Sequence, residues 1–161
     1  MHAQTWPAIL LWGFVATLLL TTLSSGSRGI GLTRMDVPFL LGTMFTGDRD
    51  RAQVIGFAVH LVNGWLVAII YALLFDSLGF ASWWLGLIMG AIQAAFILTT
   101  FLPMLPFIHP RMVSDYAGPQ PGRQIEPPGF LGLNFGYGTP LTTLIAHLVY
   151  GIVLGAFFRP I

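Results

Sequence analysis

Four long apolar stretches alternate with short or polar segments along the chain. Each stretch is near the length of about 20 residues that an α-helix needs to cross the hydrocarbon core of a bilayer. Because a backbone in lipid must satisfy its own hydrogen bonds, stretches this long and continuous are expected to be helices. The pattern therefore predicts an all-α transmembrane four-helix bundle that forms a single domain over residues 1–161. The predicted spans are residues 7–23, 54–75, 83–105 and 141–158.

The connections between the predicted spans carry their own signals. Asp36 precedes a proline and an apolar run, a pattern typical of a helix N-cap, so a short interfacial helix is expected over residues 37–46. Asp48 would cap the second span in the same way. The loop at 106–139 is rich in proline and glycine and has no periodicity, so we interpret it as a linker or a docking loop.

Two short segments of the first half return in the second half. Residues 20–22, Leu-Thr-Thr, match residues 98–100, and His-Leu-Val-Asn-Gly at 60–64 matches His-Leu-Val-Tyr-Gly at 147–151. Each half is then a span, a long loop and a span, so the halves would be related by an axis along the membrane normal. The matches predict a bundle built by duplication from two similar two-span halves.

The arginines are distributed unevenly between the two sides of the predicted membrane. Only Arg159 lies on the side of the short hairpin and the termini. By the positive-inside rule, the long loops are predicted to be cytoplasmic and both termini to lie outside, in a bacterial inner membrane. The long connections carry Arg28, Arg34, Arg49, Arg51, Arg111 and Arg123.

The composition indicates a lipid environment and excludes several kinds of chemistry. Only 8% of the residues are charged, against about 25% in a typical soluble domain, and mean hydropathy is +0.79. The chain has no cysteine, which excludes disulfides, thiolate metal sites and iron–sulfur clusters. It has no lysine, which excludes a Walker-type phosphate loop and Schiff-base cofactors. Nucleotide and nucleic-acid partners are not expected, because the net charge is only +1 and there is no basic run.

One loop segment and the paired histidine segments carry a resemblance to known proteins. The segment Arg-Met-Asp-Val-Pro at residues 34–38, followed by Gly42, and the two His-Leu-Val-x-Gly segments resemble those of uncharacterised bacterial four-span membrane proteins. The resemblance covers most of the chain and implies a multi-pass inner-membrane protein. Such families have no established activity, so the resemblance implies architecture and no chemistry.

Small residues recur at four-residue steps on three of the predicted spans. Such rows are the faces on which membrane helices approach each other closely. His60 and His147 belong to two of these rows, so both imidazoles are expected to face the bundle interior at similar depth. The helix-packing residues predicted in this way are Gly56, Gly64, Ala68, Gly86, Gly90, Gly151 and Gly155.

Two interpretations of His60 and His147 stay open. In the first, they are axial ligands of a heme b, or one of them binds the magnesium of a bacteriochlorophyll. In the second, each histidine hydrogen-bonds a neighbouring helix and the small residues serve close packing. The two interpretations make opposite demands, because a porphyrin holds helices farther apart than the usual distance of about 8–10 Å. Asp36 and His109 are weaker candidates for a metal site with these histidines.

The chain shows no catalytic signature, so it is predicted to be non-enzymatic, with no catalytic residues. The leading hypothesis is an accessory subunit of a larger, energy-transducing bacterial membrane complex, whose partners would be the lipid bilayer and other membrane subunits. The second hypothesis is a heme- or pigment-binding bundle for electron or excitation transfer. The third is a small channel or carrier, although the predicted spans contain no carboxylate for an ion or proton relay.

Overall fold

Four helical segments are long and apolar enough to cross a membrane in the computed structural model, which describes residues 5–114 and 121–159. The structure confirms an all-α chain with four long apolar helices packed together and a short helix after the first. In chain order the elements are α1 (Thr5–Gly29), α2 (Val37–Gly42), α3 (Arg49–Leu78), α4 (Trp83–Phe96), a π-helical turn (Ile97–Phe101), α5 (Leu102–Ile108), a 3-10 helix (Phe130–Phe135) and α6 (Thr139–Phe157). The third span is α4, the π-helical turn and α5 in succession.

The helix ends differ from the predicted ranges because capping residues, and not hydrophobicity, determine them. The second span begins at Arg49 rather than 54, since the Asp48 side chain accepts a hydrogen bond from the Arg51 N–H at 2.8 Å. It ends before Gly79, whose φ of 73° is the left-handed conformation of a helix C-cap. The first span ends at Gly29 and the third at Ile108. The fourth span runs from Thr139 to Phe157.

The short helix α2 lies with its backbone directly on α3. A Cβ added at Gly42 would overlap the carbonyl of Ala52, and one added at Gly56 would overlap the carbonyl of Pro38. The helix ends at Gly42, so the predicted range of 37–46 is too long. The apolar run continues beyond that point, but glycine is a poor helix former and its close contact with α3 fixes the chain there.

Asp36 joins three helices. Its side chain accepts a hydrogen bond from the Phe39 N–H at 3.1 Å, which caps α2. It also accepts a hydrogen bond from the Gln53 amide of α3 at 2.6 Å and forms an ion pair with Arg28 at the end of α1. One carboxylate therefore determines where α2 sits relative to both neighbouring spans.

The spans pack in a series of neighbouring pairs. α4 packs on α6, α6 on α1, and α1 on α3. The contact between α4 and α6 is made by backbone, because a Cβ added at Gly86 or Gly151 would overlap the carbonyl of the other residue. Such contacts between small residues are how helices associate in lipid, where the hydrophobic effect does not act between them. α3 and α4 stand at the two ends of the series. A hydrogen bond from Tyr71 of α3 to Gln93 of α4 at 2.9 Å joins them near the aromatic end, and a gap lies between the rest of the two helices.

Aromatic side chains fill the bundle interior at the end where α3 and α6 finish. The rings of Tyr71 and Tyr150 meet edge to face with centroids 5.7 Å apart, and those of Phe75 and Phe158 lie 5.8 Å apart. All four residues are buried. Edge-to-face pairs stabilise an aromatic cluster beyond the apolar area that they bury, so this end of the bundle is closed.

Large apolar side chains cover the outer faces of the spans. Leu11 on α1 and Val62 and Ile70 on α3 are exposed, together with many others of the same kind. This surface would be costly in water and is favourable against hydrocarbon. The four helices are therefore those of a multi-pass membrane protein in contact with a lipid bilayer.

The loop predicted at 106–139 packs on its own chain over its described part; residues 115–120 lie outside the described residues. The Arg34 N–H donates to the Phe135 carbonyl at 2.7 Å, and the Arg34 guanidinium pairs with Glu126 at 3.2 Å. The hydroxyls of Thr33 and Thr139 are hydrogen-bonded at 2.6 Å. The end of the loop is thus docked on the segment that follows α1.

Candidate functional site

A cleft of about 350 Å³ lies inside the bundle, lined by residues of all four spans and of α2. Most of its lining is apolar, and no charged side chain of the described residues lines it. It brings together both histidines of the predicted site. The polar side chains that line it are His60, Asn63, Gln93, Thr143, His147 and Tyr150, together with two hydroxyls of α1.

The cleft is covered at both ends and opens sideways. Leu40 and Leu41 of α2 line it on the side of the long loops, and Tyr150 of the aromatic cluster lines it at the other end. Leu66 of α3 and Phe96 of α4 also line it, yet they are 56% and 55% exposed. The opening therefore lies in the gap between α3 and α4 and faces the position of lipid chains.

A π-helical turn forms one wall of the cleft. The turn spans Ile97–Phe101, and both of its end residues line the cleft. Pro103 lies two residues after the turn and has no N–H to donate to it, a common cause of such irregularities. The wider turn changes which side chains of the third span point inward. Single π-helical turns occur frequently at functional sites.

His147 presents an unprotonated ring nitrogen. Its Nδ1 lies 2.8 Å from the carbonyl oxygen of Thr143. A carbonyl oxygen accepts hydrogen bonds and cannot donate them, so Nδ1 carries a proton. No acid of the described residues lines the cleft to balance a charge within the span, so the imidazole is neutral and Nε2 carries the lone pair. Within the described part of the chain no hydrogen bond reaches this Nε2.

The neutral imidazole of His60 also carries its proton on Nδ1, but a different contact determines this. Its Nδ1 lies 3.1 Å from the Thr21 hydroxyl, and that hydroxyl donates its only proton to the Thr17 carbonyl at 2.8 Å. The Thr21 oxygen must therefore accept, and the His60 Nδ1 must donate. The Nε2 of His60 is left as a second acceptor, and no hydrogen bond from the described residues reaches it.

The hydroxyl of Thr143 has no hydrogen-bond partner among the described residues, although the side chain is only 3% exposed. Leaving such a buried hydroxyl unpaired costs about 1–3 kcal/mol. Thr143 lies one helical turn before His147 and lines the same cleft. The hydroxyl oxygen itself has almost no accessible surface, so it is enclosed beside the cleft and not open to it.

Two further side chains define the hydrogen-bonding character of the cleft. The Tyr71 hydroxyl donates to Oε1 of Gln93 at 2.9 Å, which leaves the Gln93 amide N–H groups as donors toward the cleft. The Tyr150 hydroxyl donates to the Gly64 carbonyl at 2.6 Å and links α6 to α3. The cleft therefore offers two strong acceptors and an amide donor.

Asn63 lies at the opening of the cleft. It is exposed near the middle of α3, and no hydrogen bond to its side chain is found within the described residues. The bundle does not close between α3 and α4, so a residue that faces this gap is not buried.

The predicted packing glycines lie at contacts between neighbouring backbones. A Cβ at Gly64 would overlap Thr17 of α1, and one at Gly90 would overlap the carbonyl of His147. Gly155 lies equally close to the carbonyl of Ser82, and Ala68 is buried in the interior core. The space beside the histidines therefore arises from the gap between α3 and α4, and not from the rows of small residues.

The structure does not bring Asp36 or His109 into the cleft. The Asp36 carboxylate is engaged by its three partners on α1, α2 and α3. His109 is buried beneath α2, where its Nδ1 accepts from the Arg111 N–H and its Nε2 donates to the Leu40 carbonyl, each at 3.1 Å. Among the described residues no group of three or more possible metal ligands of the His, Cys, Asp or Glu types lies together.

The bonds of His109 predict a pH-dependent stability. Burial lowers the pKa of His109; its hydrogen bond to the Leu40 carbonyl opposes this shift, and the nearby Arg111 and Arg123 add to it. A lowered pKa means that the unfolded chain binds the proton more readily than the folded protein. The stability contributed by His109 is thus complete above about pH 6.5, the ordinary histidine pKa. It is lost as the pH falls from there through the lowered pKa of the folded state.

We expect the unfolding temperature, followed by tryptophan fluorescence, to fall more between pH 7.5 and 5.5 in the wild type than in His109→Gln. Glutamine keeps a donor for the Leu40 carbonyl and does not titrate. The comparison cancels the contribution of the other histidines, which are unchanged. Equal pH dependence in the two proteins would show that protonation of His109 has no part in stability.

Sequence reasoning identified both histidines but missed the covering of the cleft by α2 and the π-helical turn. Pro103 was the available signal for that turn, since proline within a long apolar stretch commonly disturbs a helix.

Comparison with known proteins adds no function. No family model, curated protein or solved structure matches the chain, so the resemblance to four-span bacterial membrane proteins is supported only at the level of the four spans.

Proposed function

We propose that the protein binds a neutral, bilayer-soluble molecule that donates hydrogen bonds, such as a hydroxylated ring compound, in the cleft between its spans. One observation carries the proposal. His60 and His147 both use their Nδ1 proton within the protein, and both keep an Nε2 lone pair free in residues that line a single cleft. The amide N–H groups of Gln93 lie in the same lining and add a donor to these two acceptors.

The composition of the lining supports a neutral ligand. No Asp, Glu or Arg of the described residues lines the cleft, so a charged ligand would have no counter-charge. Placing a charge at the centre of a span costs about 2.5–3.5 kcal/mol even by insertion measurements. The cleft volume of about 350 Å³ lies near the lower end of the range of about 300–1,000 Å³ for small-molecule sites. A single substituted ring is of suitable size.

A heme b is the second candidate, and the protonation state of the histidines favours it. Iron-bound imidazoles coordinate through one nitrogen and donate the other N–H to a protein oxygen, as both histidines do here. Against it, the Tyr150 hydroxyl bonds the Gly64 carbonyl about one turn from each histidine, which holds α3 and α6 close together. A magnesium-bound bacteriochlorophyll would need only one of the two imidazoles.

Binding is tested with protein labelled with ¹⁵N in its histidine rings and reconstituted in lipid nanodiscs. We expect 4-ethylphenol, which donates one hydrogen bond, to shift the Nε2 resonance of His60 or of His147. The phenylalanine variant of the histidine that shifts is expected to weaken its binding about threefold to tenfold, the value of one hydrogen bond. The matched probe 4-ethylanisole has no donor, and His109→Gln is the matched control variant. Equal binding of phenol and anisole without a shift in either resonance would overturn the proposal.

An absorption spectrum of protein purified in mild detergent, oxidised and reduced, separates the two candidates. A Soret band that shifts on reduction and disappears in both histidine variants would place heme first, and far-red bands lost with one histidine would indicate bacteriochlorophyll. A featureless visible spectrum from folded protein that still binds 4-ethylphenol supports the hydroxylated ligand.

We retain three finer proposals about architecture and context. Duplication is supported by the sequence matches and by the direct pairing of α1 with α3 and of α4 with α6, each pair having a histidine on its second helix. Cytoplasmic long loops in a bacterial inner membrane are supported by the arginine distribution.

A non-enzymatic role as an accessory subunit is supported by α3, whose span is only 17% buried and leaves a large face for another subunit. Co-purification from native membranes tests this role.

A further inference from the structure

We infer that the ligand is a head-and-tail molecule, whose hydroxylated ring lies at the histidines while a hydrocarbon tail leaves the cleft between α3 and α4. The inference rests on the proposed binding function and concerns the shape of the ligand. An alkylated phenol or hydroquinone has this chemistry: a neutral head with one or two donors, and an apolar chain.

The covered ends of the cleft leave a single direction for a tail. On the side of the long loops, Leu40 and Leu41 lie across the cleft, and α2 is fixed from below by the hydrogen bond from His109 to the Leu40 carbonyl at 3.1 Å. At the other end the buried rings of Tyr71 and Tyr150 pack edge to face. A molecule larger than one ring therefore extends through the side.

The side chains at the side opening are suited to contact a hydrocarbon tail. Leu66 and Phe96 line the cleft and are also more than half exposed, so their side chains continue from the site to the outer surface of the bundle. Both are apolar, and a hydrocarbon chain between them would pass from the cleft directly into lipid. A charged chain would find no counter-charge among the described residues that line the cleft.

Asn63 supplies a polar contact at the same opening. It is an exposed amide near the middle of α3, where lipid offers no hydrogen bond. No hydrogen bond from the described residues satisfies it, and it lines the cleft. A hydroxyl on the ring, close to the point where the tail is attached, would reach this amide while the rest of the head contacts the histidines.

The test uses 4-alkylphenols with methyl, butyl, octyl and dodecyl chains, titrated into nanodisc-embedded protein, with affinity expressed per concentration in the lipid. All four are expected to bind within about threefold of each other, because a tail outside the cleft neither gains nor loses protein contacts beyond the opening. Asn63→Leu is expected to change these affinities less than about twofold, because their single hydroxyl is para to the tail. It is expected to weaken 2-butylhydroquinone, which has a second hydroxyl beside its tail, about threefold, the value of one hydrogen bond within a membrane.

Leu66→Trp narrows the opening and provides the decisive variant. It is expected to weaken octyl- and dodecylphenol about tenfold or more while 4-methylphenol changes less than about twofold. Leu73→Trp is the matched control, since Leu73 is exposed on α3 but does not line the cleft. If methylphenol binds and the long compounds do not, or if Leu66→Trp weakens all four equally, the tail inference is wrong and the binding function stands. If none of the four binds, both are wrong.

Discussion

Gly151→Ala is expected to destabilise the protein by about 3 kcal/mol, the upper end of the typical cost of overpacking a tight interior. An added Cβ would overlap the carbonyl oxygen of Gly86 and approach the backbone nitrogen of Gly90 to 3.1 Å. These are backbone atoms within a helix, so the collision is relieved only if α4 and α6 move apart. The chain has five tryptophans and no cysteine, so heat unfolding followed by tryptophan fluorescence in detergent is a suitable measurement.

Gly26→Ala in α1 is the matched control, because a Cβ at that position meets nothing within 4 Å. It exchanges the same two residue types within a helix, where alanine is favoured over glycine by about 0.5–1 kcal/mol. The two variants should thus shift the unfolding temperature in opposite directions. Similar shifts would contradict the close approach of α4 and α6.

Asp36→Ala is expected to lower the free energy of unfolding by about 3 kcal/mol and to loosen the packing of α2. Loss of the N-cap alone costs about 1 kcal/mol, and the hydrogen bond from Gln53 to the charged carboxylate contributes about 1.5–3 kcal/mol. The ion pair with Arg28 adds little, because the arginine is 42% exposed and solvent screens the interaction. The unfolding temperature reports the total loss, and hydrogen exchange of the α2 amides reports the local one.

Asp36→Asn separates the contributions, since asparagine retains the cap and removes the charge. Asp50→Ala is the control for removal of an acid near a helix start: Asp50 lies in the first turn of α3, with no side-chain hydrogen bond among the described residues. If Asp36→Ala and Asp50→Ala cost the same, Asp36 does not hold the three helices together.

The number and class of the spans were predictable from the sequence because lipid imposes one requirement on every spanning segment. Long apolar runs and internally bonded backbone leave few alternatives. The ends of the spans were not predictable from hydropathy alone. Polar residues such as Arg49 and Asp50 continue α3 outside the apolar range, and Asp48 and Gly79 determine where it begins and ends.

The histidines were predictable as interior residues from the spacing of their neighbours, but their chemistry was not. Which nitrogen is free depends on Thr21 and Thr17 for His60, and on a carbonyl of its own helix for His147. These contacts join residues far apart in the chain or follow from side-chain rotation. The exposure of Asn63 was not predictable for a related reason: spacing indicates a face of a helix, and it does not show whether another helix covers that face.

The opening between Leu66 and Phe96 faces lipid, so the amount of bound ligand depends on the concentration of the ligand in the bilayer. A compound that dissolves in the bilayer is concentrated there before it meets the cleft, so its local concentration follows membrane content and not its concentration in water. Hydrogen bonds worth about 0.6 kcal/mol each in membrane proteins would then suffice for substantial occupancy. Occupancy would vary with the lipid composition around the protein, which makes the membrane itself the variable that controls how much ligand the protein holds.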